Sequence, residues 1–321
     1  LKEVPFGHWI KGDCPKPPIP AAWEGVLLDA LAVDRKNEGH CGFNISATSL
    51  LTCPRQLFID RLWDRYINPS ERFSAETGGV FHDRLAQAAI KYGLALPEKP
   101  LGPIWLWGLS DLIGAPIHMT PDLITPQGIE DYKFTNPTTL RYLPSDGHPD
   151  SEHEVQWSLY WHGKYNGVAS AEVPDPSGFI WYVAMMTGRE CAQVGGPWLR
   201  RSPGLLSVQQ IADFHPHKGM ASCTEIGKVL VEAFKEVEAG QTKEEVLSRI
   251  PLFGLSMMVD KRTGLSNKCL KACGVRDICI AHGGGHDVQK GKAPVSTSSP
   301  VDPGDSIDAL LDADLSGAGE E

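Results

Sequence analysis

Two short acid-bearing runs stand ten residues apart, Pro121-Asp122 and Asp131-Tyr132-Lys133, with Thr125-Pro126-Gln127-Gly128 between them. Proline in second place and glycine in fourth suit a tight turn. If residues 125–128 close a hairpin, Asp122 falls directly opposite Asp131. Side chains alternate along a strand, so Lys133 shares the face of Asp131. Two carboxylates and an ammonium then converge on one patch of sheet. Neighbouring carboxylates repel unless a cation holds them, and oxygen donors favour Mg²⁺ or Mn²⁺. Such a group suits metal-dependent hydrolysis of a phosphodiester.

The flanking elements must position this patch, and they carry further polar groups. Gly78-Gly79-Val80-Phe81-His82 falls in a stretch where Val80, Phe81, Leu85, Ala88 and Ala89 recur at helical spacing. His82 lies one turn beyond Gly78 on the same face. Glycine there would let another backbone approach closely. His82 is then either a metal ligand through a neutral ring nitrogen or a core histidine bonded to a carbonyl. Downstream, Ser151-Glu152-His153-Glu154 has capping-box form and predicts a helix starting near 151. Gln156 and Tyr160 fall one turn apart on it. They either orient the lysine or meet a DNA phosphate, or they belong to an ordinary amphipathic helix with a half-buried tyrosine.

The order is helix with G-x-x-x-H, strand with P-D, strand with D-x-K and helix with Q-x-x-x-Y. It resembles the PD-(D/E)xK nuclease superfamily and, within it, the RecB-like exonucleases. The resemblance covers about residues 46–165 and a cysteine cluster near the end. It implies an α/β, restriction-endonuclease-like fold: a mixed central sheet flanked by helices, with a C-terminal iron–sulfur subregion. It implies that His82, Asp122 and Asp131 hold one or two Mg²⁺ or Mn²⁺ ions, with the main-chain carbonyl of residue 132 as a further ligand. Lys133 would orient the attacking water, and Gln156 and Tyr160 would support the site. Asp111, in Gly108-Leu109-Ser110-Asp111, is the second candidate for the first acid; Asp122 has the preceding proline and the better hairpin register. The implied activity is a DNA exonuclease working at single-stranded ends, by threading and with little base specificity. The rival readings are a non-catalytic DNA-binding subunit, or a trimming factor active only within a recombination or CRISPR-integration complex.

Eight cysteines are present: Cys14, Cys41, Cys53, Cys191, Cys223, Cys269, Cys273 and Cys279. The start of the sequence is polar and proline-rich, without the form of a signal peptide, so a reducing, cytoplasmic setting is expected. Clustered thiols there read as metal ligands before disulfides. Cys269, Cys273 and Cys279 lie within eleven residues and need a fourth partner. The segment 46–54, ending in Cys53-Pro54, resembles the first-cysteine segment of iron–sulfur RecB-like nucleases of the AddB and CRISPR-associated types. That resemblance implies a [4Fe–4S] cluster on Cys53, Cys269, Cys273 and Cys279, acting as a structural staple between the start and the end of the domain. The spacing here is x3 then x5, where the family commonly shows x2 then x5. Zinc is the competing metal, although structural Cys₄ zinc usually draws two paired knuckles, and a one-plus-three split leans towards iron–sulfur. Cys41 is the alternative to Cys53. Cys14, Cys191 and Cys223 read as ordinary thiols.

The expected organisation is an irregular lead over 1–45, a nuclease core with helical additions over 46–260, the cysteine cluster over 261–282, and a disordered acidic tail over 283–321. Within the core, a helix is expected across 46–66, strands across 103–134 starting at Ile104-Trp107, and a buried strand at 178–185. A helix opened by Ser222-x-x-Glu225 and closed by Gly240 follows, then a short one from Thr242. Net charge is −10; eight acids and two lysines from residue 287 onward contribute −6, leaving −4 for the rest. A nuclease needs a local basic groove rather than a basic whole. Arg55, Arg61, Arg65, Arg84, Lys91, Arg200, Arg201, Lys268, Lys271 and Arg276 are the candidates for one. In the tail, residues 305–312 either form an acidic helix on a protein partner or serve as a solubilising segment. No run is long enough to span a bilayer.

Overall fold

The computed structural model describes residues 44–63, 69–93, 101–126, 128–184, 188–216, 221–251 and 275–282. It is a mixed α/β structure with two mixed sheets flanked by helices. The smaller sheet is built from β1 (Ile45–Ser46), β2 (Pro103–Ile104) and β3 (Ile117–His118), with β3 in the middle, parallel to β1 and antiparallel to β2. The larger sheet runs in the order β4 (Leu123–Thr125), β5 (Gly128–Thr135), β6 (Gly178–Ala184), β7 (Trp198–Arg201). Its outer pairs are antiparallel, while β5 and β6 are parallel.

The β4–β5 hairpin has the expected register. Leu123 pairs with Glu130, Ile124 with Ile129 and Thr125 with Gly128. The Thr125 hydroxyl closes it, accepting from the Gly128 N–H at 3.0 Å and donating to the Gly128 carbonyl at 3.2 Å. Where β5 meets β6 the two chains nearly touch. A Cβ on Gly128 would lie 1.9 Å from the Ser177 carbonyl oxygen, and one on Gly178 2.0 Å from that of Ile129. Only glycine fits, and that contact starts the parallel register from Ile129↔Gly178 to Thr135↔Ala184.

Between β5 and β6 the chain crosses through α4 (Pro137–Arg141) and α5 (Ser151–Lys164). Trp157 and Trp161 of α5 join the core with Ile129, Ile180 and Tyr182 of the sheet, and the Trp157 indole donates to the Ile129 carbonyl at 2.9 Å. Asp150, one residue earlier than the capping box suggested, caps this helix by accepting from the Glu152 N–H. The remaining described helices are α1 (Pro54–Leu62), α2 (Pro69–Lys91), α3 (Leu109–Ile113), α6 (Arg189–Gln193), α7 (Val208–Ala212), α8 (Cys223–Glu238), α9 (Lys243–Arg249) and α10 (Arg276–Ala281). In α8 the Ser222/Glu225 capping box forms as expected, and Ile226, Leu230, Ala233 and Phe234 face the core.

Several expectations are corrected. Residues 46–66 do not make one helix: a 3₁₀ turn at Thr48–Leu51 precedes α1. Ser46 and Ser49 cap each other's backbone N–H at 3.1 Å, which tightens that turn, and Pro54 then opens a new helix. Ile45, placed in the irregular lead, is fully buried in β1. Ile104-Trp107 is strand only at Ile104, because α3 starts at Leu109. In α2, Val80 and Phe81 stay exposed; the packed stripe is His82, Ala86 and Ala89, against Leu123 and Tyr132. The lead before 44 and the tail after 282 lie outside the described residues. Among the described residues no helix is long and apolar enough to cross a membrane.

Candidate functional site

Asp131 and Lys133 point to one face of β5, and a chain of contacts runs from there onto α5. Lys133 Nζ lies 2.7 Å from Asp131 Oδ2 and donates to Gln156 Oε1 at 2.8 Å. The Gln156 amide donates on to the Tyr160 hydroxyl at 2.5 Å and to Thr48 Oγ1 at 3.4 Å. The spacing of Gln156 and Tyr160 by one turn is what lets a single helix supply both. Burial holds the Tyr160 phenol well above its usual 10, so it stays protonated. Asp131 is 1% exposed. Burial pushes its carboxyl up to about 6, against the downward pull of Lys133 and with the charge of Asp122 adding to the rise.

Asp122 precedes β4 and meets β5 and α2 at once. One oxygen accepts from the Tyr132 N–H at 2.6 Å, and the other lies 3.0 Å from His82 Nδ1. Burial lowers the His82 pKa, but the hydrogen bond and charge of Asp122 outweigh it and leave the ring raised. The imidazole also packs on Phe134, with ring centres 4.9 Å apart. A Cβ on Gly78 would meet Phe134 at 3.9 Å, an ordinary contact. The close backbone approach expected at this glycine is therefore not formed, because a side chain occupies that space.

Asp111 is engaged elsewhere. Its carboxylate accepts from the Gly108 N–H at 2.9 Å and the Trp105 indole at 2.7 Å, and so caps α3. Those contacts hold it below the usual carboxylate range.

His82, Asp122, Asp131 and Lys133 are thus one constellation. Among the described residues no set of three or more His, Cys, Asp or Glu side chains stands in metal-holding geometry. Both carboxylates are turned to protein groups instead, Asp122 to the His82 ring and Asp131 to the Lys133 ammonium. The donor set still fits a hard divalent ion. Buried Asp131 Oδ2, although close to the lysine, receives no well-directed hydrogen bond, and the remaining donors are carboxylate oxygens and an imidazole.

A cavity of about 570 Å³ opens beside these groups, lined by His82, Lys133, Phe134, Thr139, His153 and Tyr182 among others. His153 and Tyr182 were not expected there. His153 Nδ1 lies 2.9 Å from the Tyr182 hydroxyl, and burial, helped by Lys133, lowers the ring to about 4. Its position three residues before Gln156 was the available signal, hidden by its place in the apparent capping box. Phe81 (40% exposed) packs on Phe134 of the cavity lining with ring centres 5.0 Å apart, and Trp198 (44% exposed) lies 6.2 Å from Phe81.

The cysteine region is described in part. Cys53 immediately precedes α1 and Cys279 lies on α10, which packs against α1; neither is in a disulfide. Cys14, Cys41, Cys269 and Cys273 lie outside the described residues. Two of the four expected ligands, Cys53 and Cys279, thus lie on packed elements, and the other two lie outside the described residues. Cys191 and Cys223 are buried, and burial pushes the Cys223 thiol up to about 12. Arg55, expected in a basic groove, is instead 1% exposed beside Cys279. Arg61 lies over Phe234, and Arg200 over Phe179 and Trp181. Arg84 and Lys91 remain exposed on α2.

No family model matches the chain, and no curated protein matches its sequence. Among solved structures, one titled "Crystal structure of SSO0001" is similar at 14% identity and a TM-score of 0.37, covering 74% of this chain and 99% of that one. At that level the likeness carries no argument about fold or activity.

Proposed function

We propose that this protein is a metal-dependent deoxyribonuclease of the PD-(D/E)xK type, built on a restriction-endonuclease-like core. Its substrate would be DNA, taken at single-stranded ends. The observation that carries the reading is the continuous contact chain Asp131–Lys133–Gln156–Tyr160, with the Asp122–His82 pair beside it. Asp122, Asp131 and His82 would hold Mg²⁺ or Mn²⁺, which when bound supplies Lewis-acid activation of water and neutralises phosphate charge. Lys133 is held by Gln156 where its ammonium can orient that water and offset charge at the reacting phosphate. Gln156 is fixed in turn by Tyr160 and Thr48, so the lysine is placed before substrate arrives. Cys53, Cys269, Cys273 and Cys279 would hold a structural [4Fe–4S] cluster, in a cytoplasmic protein.

The decisive experiment is degradation of end-labelled single- and double-stranded DNA with Mn²⁺, Mg²⁺ or EDTA, comparing wild type with Lys133→Ala. Metal-dependent cleavage that the variant loses supports the reading. Cleavage unaffected by Asp131→Ala would remove the assignment of the site. A second reading, a DNA-binding subunit that cuts only with a partner or not at all, is favoured by the direct pairing of both carboxylates with His82 and Lys133. It predicts DNA binding without cleavage by the isolated, cluster-loaded protein, and a pull-down with and without residues 287–321 would test whether the tail recruits that partner.

A further inference from the structure

Lys133 and Tyr182 are register partners on the parallel strands β5 and β6. Their side chains therefore leave the sheet side by side, on the face that α5 covers. Gln156 and His153 stand three residues apart on α5 and share one face of it. Two bridges cross from sheet to helix. Lys133 Nζ donates to Gln156 Oε1 at 2.8 Å, and the Tyr182 hydroxyl meets His153 Nδ1 at 2.9 Å. The first bridge belongs to the contact chain already described; the second does not. Lys133, His153 and Tyr182 all line the cavity of about 570 Å³.

The second bridge has a direction. The Asp150 N–H donates to the Tyr182 oxygen at 2.9 Å. With its oxygen accepting there, the phenol has its own hydrogen to give, and His153 Nδ1 is placed to take it. A neutral imidazole that accepts at Nδ1 carries its hydrogen on Nε2. Burial, and then the charge of Lys133, lower this ring to about 4, so the neutral form prevails at pH 7. That suits its place. A second cation beside Lys133 would repel it, whereas a neutral N–H can meet an anion without that repulsion. The cavity runs along β5 past Lys133 to Thr135 and Thr139, away from Asp131. It therefore receives the part of a bound strand that flanks the reacting phosphate.

We propose that His153 is a substrate-positioning residue: Tyr182 fixes its ring so that Nε2–H donates to a non-bridging oxygen of the phosphodiester next to the one that Lys133 faces. The inference rests on the nuclease reading under the proposed function and adds a contact to it. His153 holds no metal and moves no proton in this role. It sets where the strand lies, while Lys133 acts on the reacting group. Tyr182 acts through His153, by choosing which ring nitrogen carries the hydrogen.

The test uses the full chain as wild type, His153→Phe and His153→Gln. Binding of single-stranded oligonucleotides is measured in EDTA, where nothing is cleaved. The strands are natural, or carry one methylphosphonate at each linkage near the end in turn, which replaces an accepting oxygen by a methyl group. Wild type is expected to lose about 10-fold in affinity at one linkage, the scale of one hydrogen bond to a charged group. His153→Phe should show that same loss on the natural strand and no further loss at that linkage. His153→Gln, whose amide can replace the Nε2–H, should keep most of the affinity. Losses that simply add at every linkage, or a His153→Phe that binds like wild type, would overturn the proposal. Imidazole ¹⁵N spectra of the wild type at pH 7, with the His153 signals assigned by their loss in His153→Gln, should show the hydrogen on Nε2. A hydrogen on Nδ1 would overturn the proposal even if the phenylalanine variant does not fold. A wild type that neither binds single strands nor cleaves them with Mn²⁺ would overturn the nuclease reading and this inference with it, and that result is distinct because it appears without any substitution.

Discussion

Lys133 and Gln156 meet at 2.8 Å although one lies on β5 and the other on α5. The lysine is thereby held between an amide and the Asp131 carboxylate rather than left to swing in solvent. If that placement serves catalysis, Gln156→Leu should lower kcat by about 10²-fold with KM little changed, since small misplacements of a reacting group have effects of that order. Tyr160→Phe keeps the ring but removes the Gln156 acceptor and should lower kcat by less. Steady-state cleavage of labelled single strands measures both. Unchanged kcat in Gln156→Leu would mean that the contact is only packing.

Metal should stabilise the fold before any substrate is added. An ion bound only by the native state contributes about 2.7 kcal/mol at 100 times its Kd. Mn²⁺ is therefore expected to raise the Tm of the wild type, and to leave Asp122→Ala and His82→Ala nearly unmoved. Equal shifts in all three proteins would place the ion elsewhere.

His153 should make the protein acid-sensitive. Its folded pKa, about 4, lies below the ordinary 6.5 because the ring is buried and faces Lys133. The neutral ring therefore contributes stability above pH 6.5 that is lost as pH falls towards 4. Asp131 runs the opposite way: its folded value, about 6, lies above 3.8, so its contribution is full below 3.8 and lost as pH rises through 6. Comparing wild type with His153→Gln by denaturant unfolding from pH 4 to 7 isolates the histidine. The variant should lose less stability on acidification; parallel curves would remove His153 as the cause.

The two sheet glycines carry the geometry of the site from a distance. A methyl group on Gly128 would strike the Ser177 carbonyl, so β5 must shift to accept it. Gly128→Ala should cost about 3 kcal/mol of stability, at the upper end of ordinary substitutions, and displace Asp131 and Lys133 together. Differential scanning calorimetry reads the first effect and cleavage the second. Gly79→Ala is the control, since a Cβ there meets nothing within 4 Å.

The exposed Phe81 and Trp198 rings, linked to the cavity lining through Phe134, suit the stacking of unpaired bases, which contributes roughly 1–3 kcal/mol per base. Phe81→Ala and Trp198→Ala should each weaken binding of a single-stranded oligonucleotide in EDTA by about 10-fold, with duplex binding little changed. Fluorescence anisotropy decides. Equal loss for duplex and single strand would point to general misfolding of that region.

The hairpin register, the α8 capping box and the helix carrying Gln156 and Tyr160 were legible in the residues because each depends on neighbours close in the chain. A turn sets register within a few residues, and a helix face repeats every three or four. The α3 helix was not legible. Ile104-Trp105-Leu106-Trp107 reads as a strand, whereas in the structure the Asp111 carboxylate folds back on Gly108 and Trp105 and the Ser110 hydroxyl accepts from the Leu106 N–H, closing the turn that opens α3. Val80 and Phe81 were likewise read as part of an apolar helical pattern. They are exposed because the sheet beneath α2 presents Leu123 and Tyr132 to the stripe one position over.

By itself, then, the sequence determined which side chains share a strand face or a helix turn: Asp131 with Lys133, Gln156 with Tyr160. Tertiary structure decided which of those local groups meet. It brought Gln156 to Lys133, turned His82 onto Asp122, withdrew Asp111 to a helix cap, and buried Arg55 against Cys279. The physical reason is range. Dihedral preference and hydrogen-bond period act over a few residues, whereas burial and charge pairing act between any segments that packing brings within a few ångströms.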